Sequence, residues 1–282
     1  MLNADYYLIY IDNNCFFTNQ NSSRSGVLCF CRNIGADAHK QISVFILYKI
    51  NKIIKMKITK YIHSCLVFEQ DGFKLLMDPG NYTFAEGLVK PEEFADVSAI
   101  IITHIHPDHL DMDHLKKIIE LSGAPVFTNN QVADALEKQG IGAELLTEGT
   151  RNFGGMAFKA MPVIHMPLLD NLIPEMTGFI INNTILHAVD SLDSSLYQIK
   201  NIELLILPIM APFCNELQVA QFADTIQPKH ILPVHDGFGK SFFLKQRHQN
   251  YVKHFEAQGI QFHQPLGGRV SAETEIVFKF NL

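Results

Sequence analysis

Hydrophobic and polar positions follow two rhythms from residue 56 onward. Residues 57–69 and 73–77 read as strands joined by Asp71-Gly72, a dipeptide favoured in tight hairpins. Ala99-Ile100-Ile101-Ile102-Thr103 is a short apolar, largely β-branched run of the kind found in buried strands. A helical period begins at Asp111 and continues through Ile119, with acidic residues in its first turn. Residues 125–128 predict a strand, and 130–139 a helix closing near Gly140. Strands are predicted over 156–164, 177–182 and 184–189. Apolar strands over 203–208 and 229–234 flank a helix over 215–226. A helix over 241–258 and a strand over 275–280 complete the pattern. Strands run through both halves with helices interspersed, an α+β arrangement.

Residues 1–55 break this rhythm. They contain neither Glu nor Pro, and their acidic residues are only Asp5, Asp12 and Asp37. The apolar stretch 42–48 is too short to span a bilayer, and no charged segment with a cleavage site marks a signal peptide. Two readings stay open: a poorly structured N-terminal extension, or an artefact of start assignment with Met56 as the true first residue. The remaining domain is 56–282.

Composition narrows the class. The 282 residues are 47% hydrophobic and 18% charged with a formal net charge of −6, which describes a globular protein. No basic run suggests a nucleic-acid or membrane-surface partner. The five cysteines (Cys15, Cys29, Cys31, Cys65 and Cys214) do not form the even framework of a small secreted domain. Cys29-Phe30-Cys31 has the wrong spacing for a zinc knuckle, and Cys65 and Cys214 are expected as small core residues. A reduced, cytoplasmic setting follows.

The chemistry concentrates in His104-Ile105-His106-Pro107-Asp108-His109. Three imidazoles and one carboxylate lie on a loop between a strand and a helix, and these groups are ligands of zinc and similar divalent ions. His104 and His106 can face one side of an extended segment while Asp108 and His109 turn toward another, so one loop could feed two metals. His165, Asp190 and His235 each stand where a strand-like run gives out, and would converge on one sheet edge. His187 and His230 are out of phase with Asp190 and His235 and are read as structural. His114 is expected to face solvent, and Asp236-Gly237 reads as a turn.

Thr103-His104-Ile105-His106-Pro107-Asp108-His109, followed in order by His165, Asp190 and His235, resembles the metallo-β-lactamase superfamily over 56–282. Ile62-His63-Ser64-Cys65, Leu76-Met77-Asp78-Pro79-Gly80 and Leu232-Pro233-Val234-His235 resemble its ascorbate-6-phosphate lactonase-like branch. The sequence departs from that branch at Ile62, where Gly often stands, and at Ser191, where Thr is common. The resemblance implies a four-layer αββα sandwich of two mixed β-sheets with outer helices. It implies one metal on His104, His106 and His165, and a second on Asp108, His109 and His235, with Asp190 bridging. Asp78 would support the histidine loop, and His63 would lie behind the ligands or near the substrate.

Two divalent ions, zinc or manganese, sharing a hydroxide would cleave an ester-like bond: a lactone, ester, thioester or phosphodiester. Asp108 is the catalytic candidate, orienting the hydroxide and accepting its proton. The expected partner is a small-molecule substrate, without nucleic acid or membrane, and homo-oligomerisation stays open. The alternatives are an iron-dependent oxidoreductase on the same fold and an inactive binding module. Di-iron relatives tend to carry Glu where His106 stands, and no ligand position is missing here.

Overall fold

The computed structural model describes residues 53–169, 172–264 and 274–281. The expectations for 1–52, including those for Cys15, Cys29 and Cys31, lie outside the described residues. Lys55–Lys279 form one compact unit.

The predicted hairpin is present. β1 (Ile53–Lys60), β2 (Leu66–Gln70) and β3 (Phe73–Met77) form an antiparallel meander. Asp71 and Gly72 turn between β2 and β3 with φ of 50° and 82°. Such paired positive angles match the twist of the flanking strands. The run 57–69 is not one strand, however. Tyr61 N–H donates to Cys65 O at 2.9 Å and His63 takes φ 64°, so residues 61–65 form a turn and the chain doubles back.

β4 (Ala99–Ile101), β5 (Val126–Thr128) and β6 (Ala143–Leu145) extend this sheet in parallel beyond β3. A second sheet holds β7 (Gly149–Phe153), β8 (Met156–Pro162), β9 (Thr177–Ile181), β10 (Ile185–His187), β11 (Leu204–Pro208), β12 (His230–Val234) and β13 (Gln261–Phe262) in order. It is antiparallel from β7 to β10 and parallel from β10 to β13. The last strand, β14 (Thr274–Asn281), borders β1, giving two mixed seven-stranded sheets.

The sheets face each other through rings such as Phe68 on β2 and Phe158 on β8, whose centroids are 5.4 Å apart. On the outer face of the first sheet, Leu76, Ile100 and Val126 pack with Leu115 and Ile118 of α2 (Met112–Ser122) and Val132 and Leu136 of α3 (Asn130–Glu137). A short helix, α1 (Asn81–Phe84), precedes them in the chain. On the second sheet, Leu205, Leu207 and Ile231 pack with Val219 and Phe222 of the helix Glu216–Ile226 and with Tyr251 and Phe255 of the helix Ser241–Glu256. All five residues of β11 are buried, consistent with covered faces on both sides. The expected αββα sandwich is therefore the observed one.

This arrangement fixes where functional groups can gather. β3, β4 and β5 run parallel, as do β10, β11 and β12, and β8 runs in the same sense as β10 across two antiparallel pairings. The segments leaving their carboxyl ends carry Asp78, the histidine loop, His165, Asp190 and His235.

Candidate metal centre

The histidine loop is held by its own backbone and by β3. His109 N–H and Leu110 N–H both donate to His106 O, turning the chain toward α2, which Asp111 caps by accepting from Asp113 and His114 N–H. Beneath the loop lies Asp78, fully buried at φ 52°. Its carboxylate accepts from Thr103 N–H at 2.8 Å, Thr103 Oγ1 at 2.7 Å and His109 Nδ1 at 2.8 Å. Gly80 lies so close to the loop that a Cβ there would stand 1.9 Å from Asp108 O.

Other donors arrive from the second sheet. His165 Nδ1 bonds to Met166 O at 2.5 Å, and His235 Nδ1 to Met210 O at 2.7 Å. With the Asp78 bond to His109, three imidazoles direct Nδ1 at an oxygen, which leaves Nε2 as the atom facing the centre and able to ligate once it carries no proton. Metal-ligating histidines are commonly oriented by such bonds. Val189, just before Asp190, is held at φ 54°, and His235 at 63°. Positive φ is uncommon for any non-glycine residue and an outlier for a β-branched one, so Val189 stores backbone strain beside the site.

Four imidazoles meet at one oxygen. Asp190 Oδ2 lies 3.7 Å from His104 Nε2, 3.4 Å from His109 Nε2, 3.5 Å from His165 Nε2 and 3.1 Å from His235 Nε2. His104 Nε2 lies 3.1 Å from His106 Nδ1, and Asp108 Oδ2 lies 3.2 Å from His235 Nε2. Two groups of potential ligands result: His104, His106, His165 and Asp190; and His63, Asp108, His109 and His235. The Nε2 atoms of His109, His165 and His235 and Oδ1 of Asp190 are buried without a hydrogen-bond partner. Unpaired buried polar atoms are costly, and this neutral-nitrogen and carboxylate set fits a divalent cation.

Electrostatics point the same way. Burial favours the neutral form of His235, but Asp190 and Asp108 outweigh it and raise its pKa to about 10. Burial likewise opposes charge on His109, yet Asp190 and Asp78 hold it well above the ordinary histidine value. Burial pushes Asp190 upward, and His235 and His109 overcome this to hold it well below the carboxylate range. His104, by contrast, is driven well below its ordinary value by burial and by His109. Without a cation, protons on buried imidazoles compensate the buried carboxylates.

The structure brings together the seven residues read as candidate metal ligands. His104, His106, Asp108, His109, His165, Asp190 and His235 surround the centre, with Asp78 behind it. Of the two places expected for His63 the structure shows the first: it is fully buried behind the ligands, with Nε2 3.1 Å from Asp108 Oδ2. His114 does not simply face solvent: it is half-buried and stacks on Phe84 with centroids 4.0 Å apart. His187 is buried in the core, as its structural reading requires. The Asp236 turn is more than a turn. Its Oδ1 accepts from Lys60 Nζ at 2.9 Å, with both side chains 4% exposed, and its Oδ2 lies 3.7 Å from His248 Nε2. Lys60 gave no sequence signal, because its partner is 176 positions away.

A cavity of about 630 Å³ adjoins the centre, lined in part by Ile62, Tyr82, Leu88, Gly237, Phe238 and Lys240. Tyr82 and Phe238 stand 5.1 and 5.7 Å from the His63 ring, centroid to centroid.

Comparisons with known proteins agree with this geometry. A family model described as a beta-lactamase superfamily domain matches residues 57–235. Protein Rv0786c of Mycobacterium tuberculosis is 30% identical over 187 residues, covering 64% of this chain and 84% of the relative. A UPF0173 metal-dependent hydrolase of Alkaliphilus metalliredigens is 31% identical over 196 residues, covering 64% and 85%. Among solved structures, Igni18, a metallo hydrolase from the archaeon Ignicoccus hospitalis, superposes with a TM-score of 0.63 at 20% identity, covering 80% of this chain and all of that one. The chain belongs to the metallo-β-lactamase superfamily and, within it, to the family of UPF0173 metal-dependent hydrolases.

Proposed function

We propose that this chain is a dinuclear metal-dependent hydrolase acting on an ester-like bond in a small molecule. The observation that carries this reading is the convergence of four imidazole nitrogens on Asp190 Oδ2 within 3.7 Å, three of them on buried atoms without another partner. His104, His106 and His165 would hold one divalent ion and Asp108, His109 and His235 the other, with Asp190 between them. Zinc is the first choice from this donor set, and manganese the second. Bound ions of this kind lower the pKa of water from 15.7 to about 7 and polarise the target oxygen.

The chain's own residues supply the rest. Asp108, with a side chain 20% exposed, can orient the attacking water and accept its proton. Asp78 holds His109 in the tautomer that leaves Nε2 free. The apolar part of a substrate would rest against Tyr82 and Phe238. A lactone is one substrate to include, in keeping with the lactonase-like sequence features.

Metal analysis of protein purified after metal-replete expression, coupled to a screen of lactones, phosphodiesters and thioesters, tests the reading. Close to two divalent ions per chain and chelator-sensitive turnover are expected. A stoichiometry near zero would overturn the metal assignment. Two ions without turnover of any ester class would overturn the hydrolase assignment, and iron with redox turnover would replace it.

A further inference from the structure

His63 groups with Asp108, His109 and His235 by distance alone, so it could count as a fourth ligand of the second ion. Its hydrogen bonds say otherwise. Gly237 N–H donates to His63 Nδ1 at 3.0 Å. A backbone N–H cannot act as an acceptor, so Nδ1 must carry the lone pair. In the neutral ring the proton then sits on Nε2, which faces Asp108 Oδ2 at 3.1 Å. Ligation through Nε2 would require the opposite tautomer, setting two N–H groups against each other at Gly237. His109, His165 and His235 show the reverse pattern, each with Nδ1 directed at an oxygen and Nε2 toward the centre.

The clasp on His63 is built from two segments far apart in the sequence. His235 N–H donates to His63 O at 3.2 Å. A Cβ on Gly237 would lie 2.8 Å from His63 Cβ and 3.0 Å from Ile62 Cγ2, so only glycine permits this approach. Asp236, between the two donors, is tied to Lys60 at the end of β1. The turn carrying His63 and the loop carrying His235 are thus fastened together, and the ring has little freedom to flip.

We propose that His63 stands outside the ligand set and is the positioning residue of Asp108: an imidazole locked as the Nε2–H tautomer that donates to Oδ2 and sets the orientation of that carboxylate. This rests on the metal-centre reading above, in which Asp108 serves both the second ion and the attacking water.

The test uses the full chain labelled with ¹⁵N-histidine and loaded with ¹¹³Cd. Ligand imidazoles should show nitrogen–cadmium coupling. His63, assigned by its absence from the spectrum of His63→Gln, should show none and should carry its proton on Nε2. Coupling at His63, or a proton on Nδ1, would overturn the proposal. Absence of coupling from every histidine would overturn the metal-centre reading itself, a separate result.

Cobalt substitution gives a second readout. His63→Ala should keep two cobalt ions per chain, weaken the second by roughly 10–100-fold, and shift its d–d bands. His63→Gln, which places an amide donor near the lost Nε2–H, should restore the bands. Loss of one full equivalent in both variants would mark His63 as a ligand and overturn its positioning role.

Discussion

At the scale of single residues, Asp108 and His165 separate nucleophile chemistry from metal binding. Asp108 is partly exposed and contacts His63 and His235, whereas His165 is buried with only Nε2 directed at the centre. Asp108→Asn keeps the shape but removes the charge and the proton acceptor. A positioned acid–base group contributes about 10²–10⁴-fold in rate, so kcat should fall at least that far even with metal in excess. His165→Ala should instead bind metal weakly and recover some activity as metal is added. Near wild-type turnover by metal-saturated Asp108→Asn would remove this carboxylate from the proton transfer.

His187 provides a pH prediction. Burial, and secondarily His109, depress its pKa from 6.5 to about 3. The unfolded chain therefore takes up this proton as pH falls below about 6.5, and the folded chain resists until about 3. Stability from this group is fully present above the unfolded value and declines as pH falls between the two, by about 1.4 kcal/mol per pH unit. In chelated protein, His187→Leu should flatten the dependence of unfolding free energy on pH in that window. Equal slopes in variant and parent, measured by urea unfolding, would show that His187 titrates normally when folded.

At the scale of elements, the loop Thr103–His109 depends on the close approach of Gly80. The Cβ of Gly80→Ala would lie 1.9 and 2.0 Å from Asp108 O and C and 2.5 Å from His109 N, all backbone atoms that cannot swing aside. Overpacking of this kind costs about 1–3 kcal/mol, and here the displaced group is the ligand loop. A lowered Tm together with lost metal is expected; full metal content with an unchanged Tm would contradict the contact.

These elements also mark what could be read in advance. The hairpin at Asp71-Gly72, the buried run before His104 and the Asp111 helix start were legible because local chemistry determines them. β6 and β7 were not, since they are short, mostly exposed edge strands without apolar alternation. The turn at 61–65 was hidden because its apolar content continues the strand pattern on both sides. The burial of His63 and the Lys60–Asp236 pair were invisible for a different reason: their partners lie 45 to 176 positions away, and only the closed sandwich brings them together.

At the scale of the whole molecule, the candidate ligands come from both sheets. The first sheet supplies the loop after β4, and the second supplies His165, Asp190 and His235 from the segments after β8, β10 and β12. Cations held between them would join the two halves of the sandwich across the edge where the strands end. Ligand binding to the folded state alone stabilises it by RT ln(1 + [L]/Kd), about 2.7 kcal/mol at a hundredfold excess over Kd. For a domain of this size each kcal/mol moves Tm by about 2–4 °C, so chelation should lower Tm by roughly 5–10 °C and readdition of zinc should restore it. The same addition should release protons at neutral pH, because His235, with a pKa near 10, must give one up before Nε2 can act as a ligand. Calorimetry in buffers of different ionisation enthalpy counts that release. A Tm indifferent to chelator, with no protons released on zinc addition, would mean that these buried charges are balanced by one another and not by a metal.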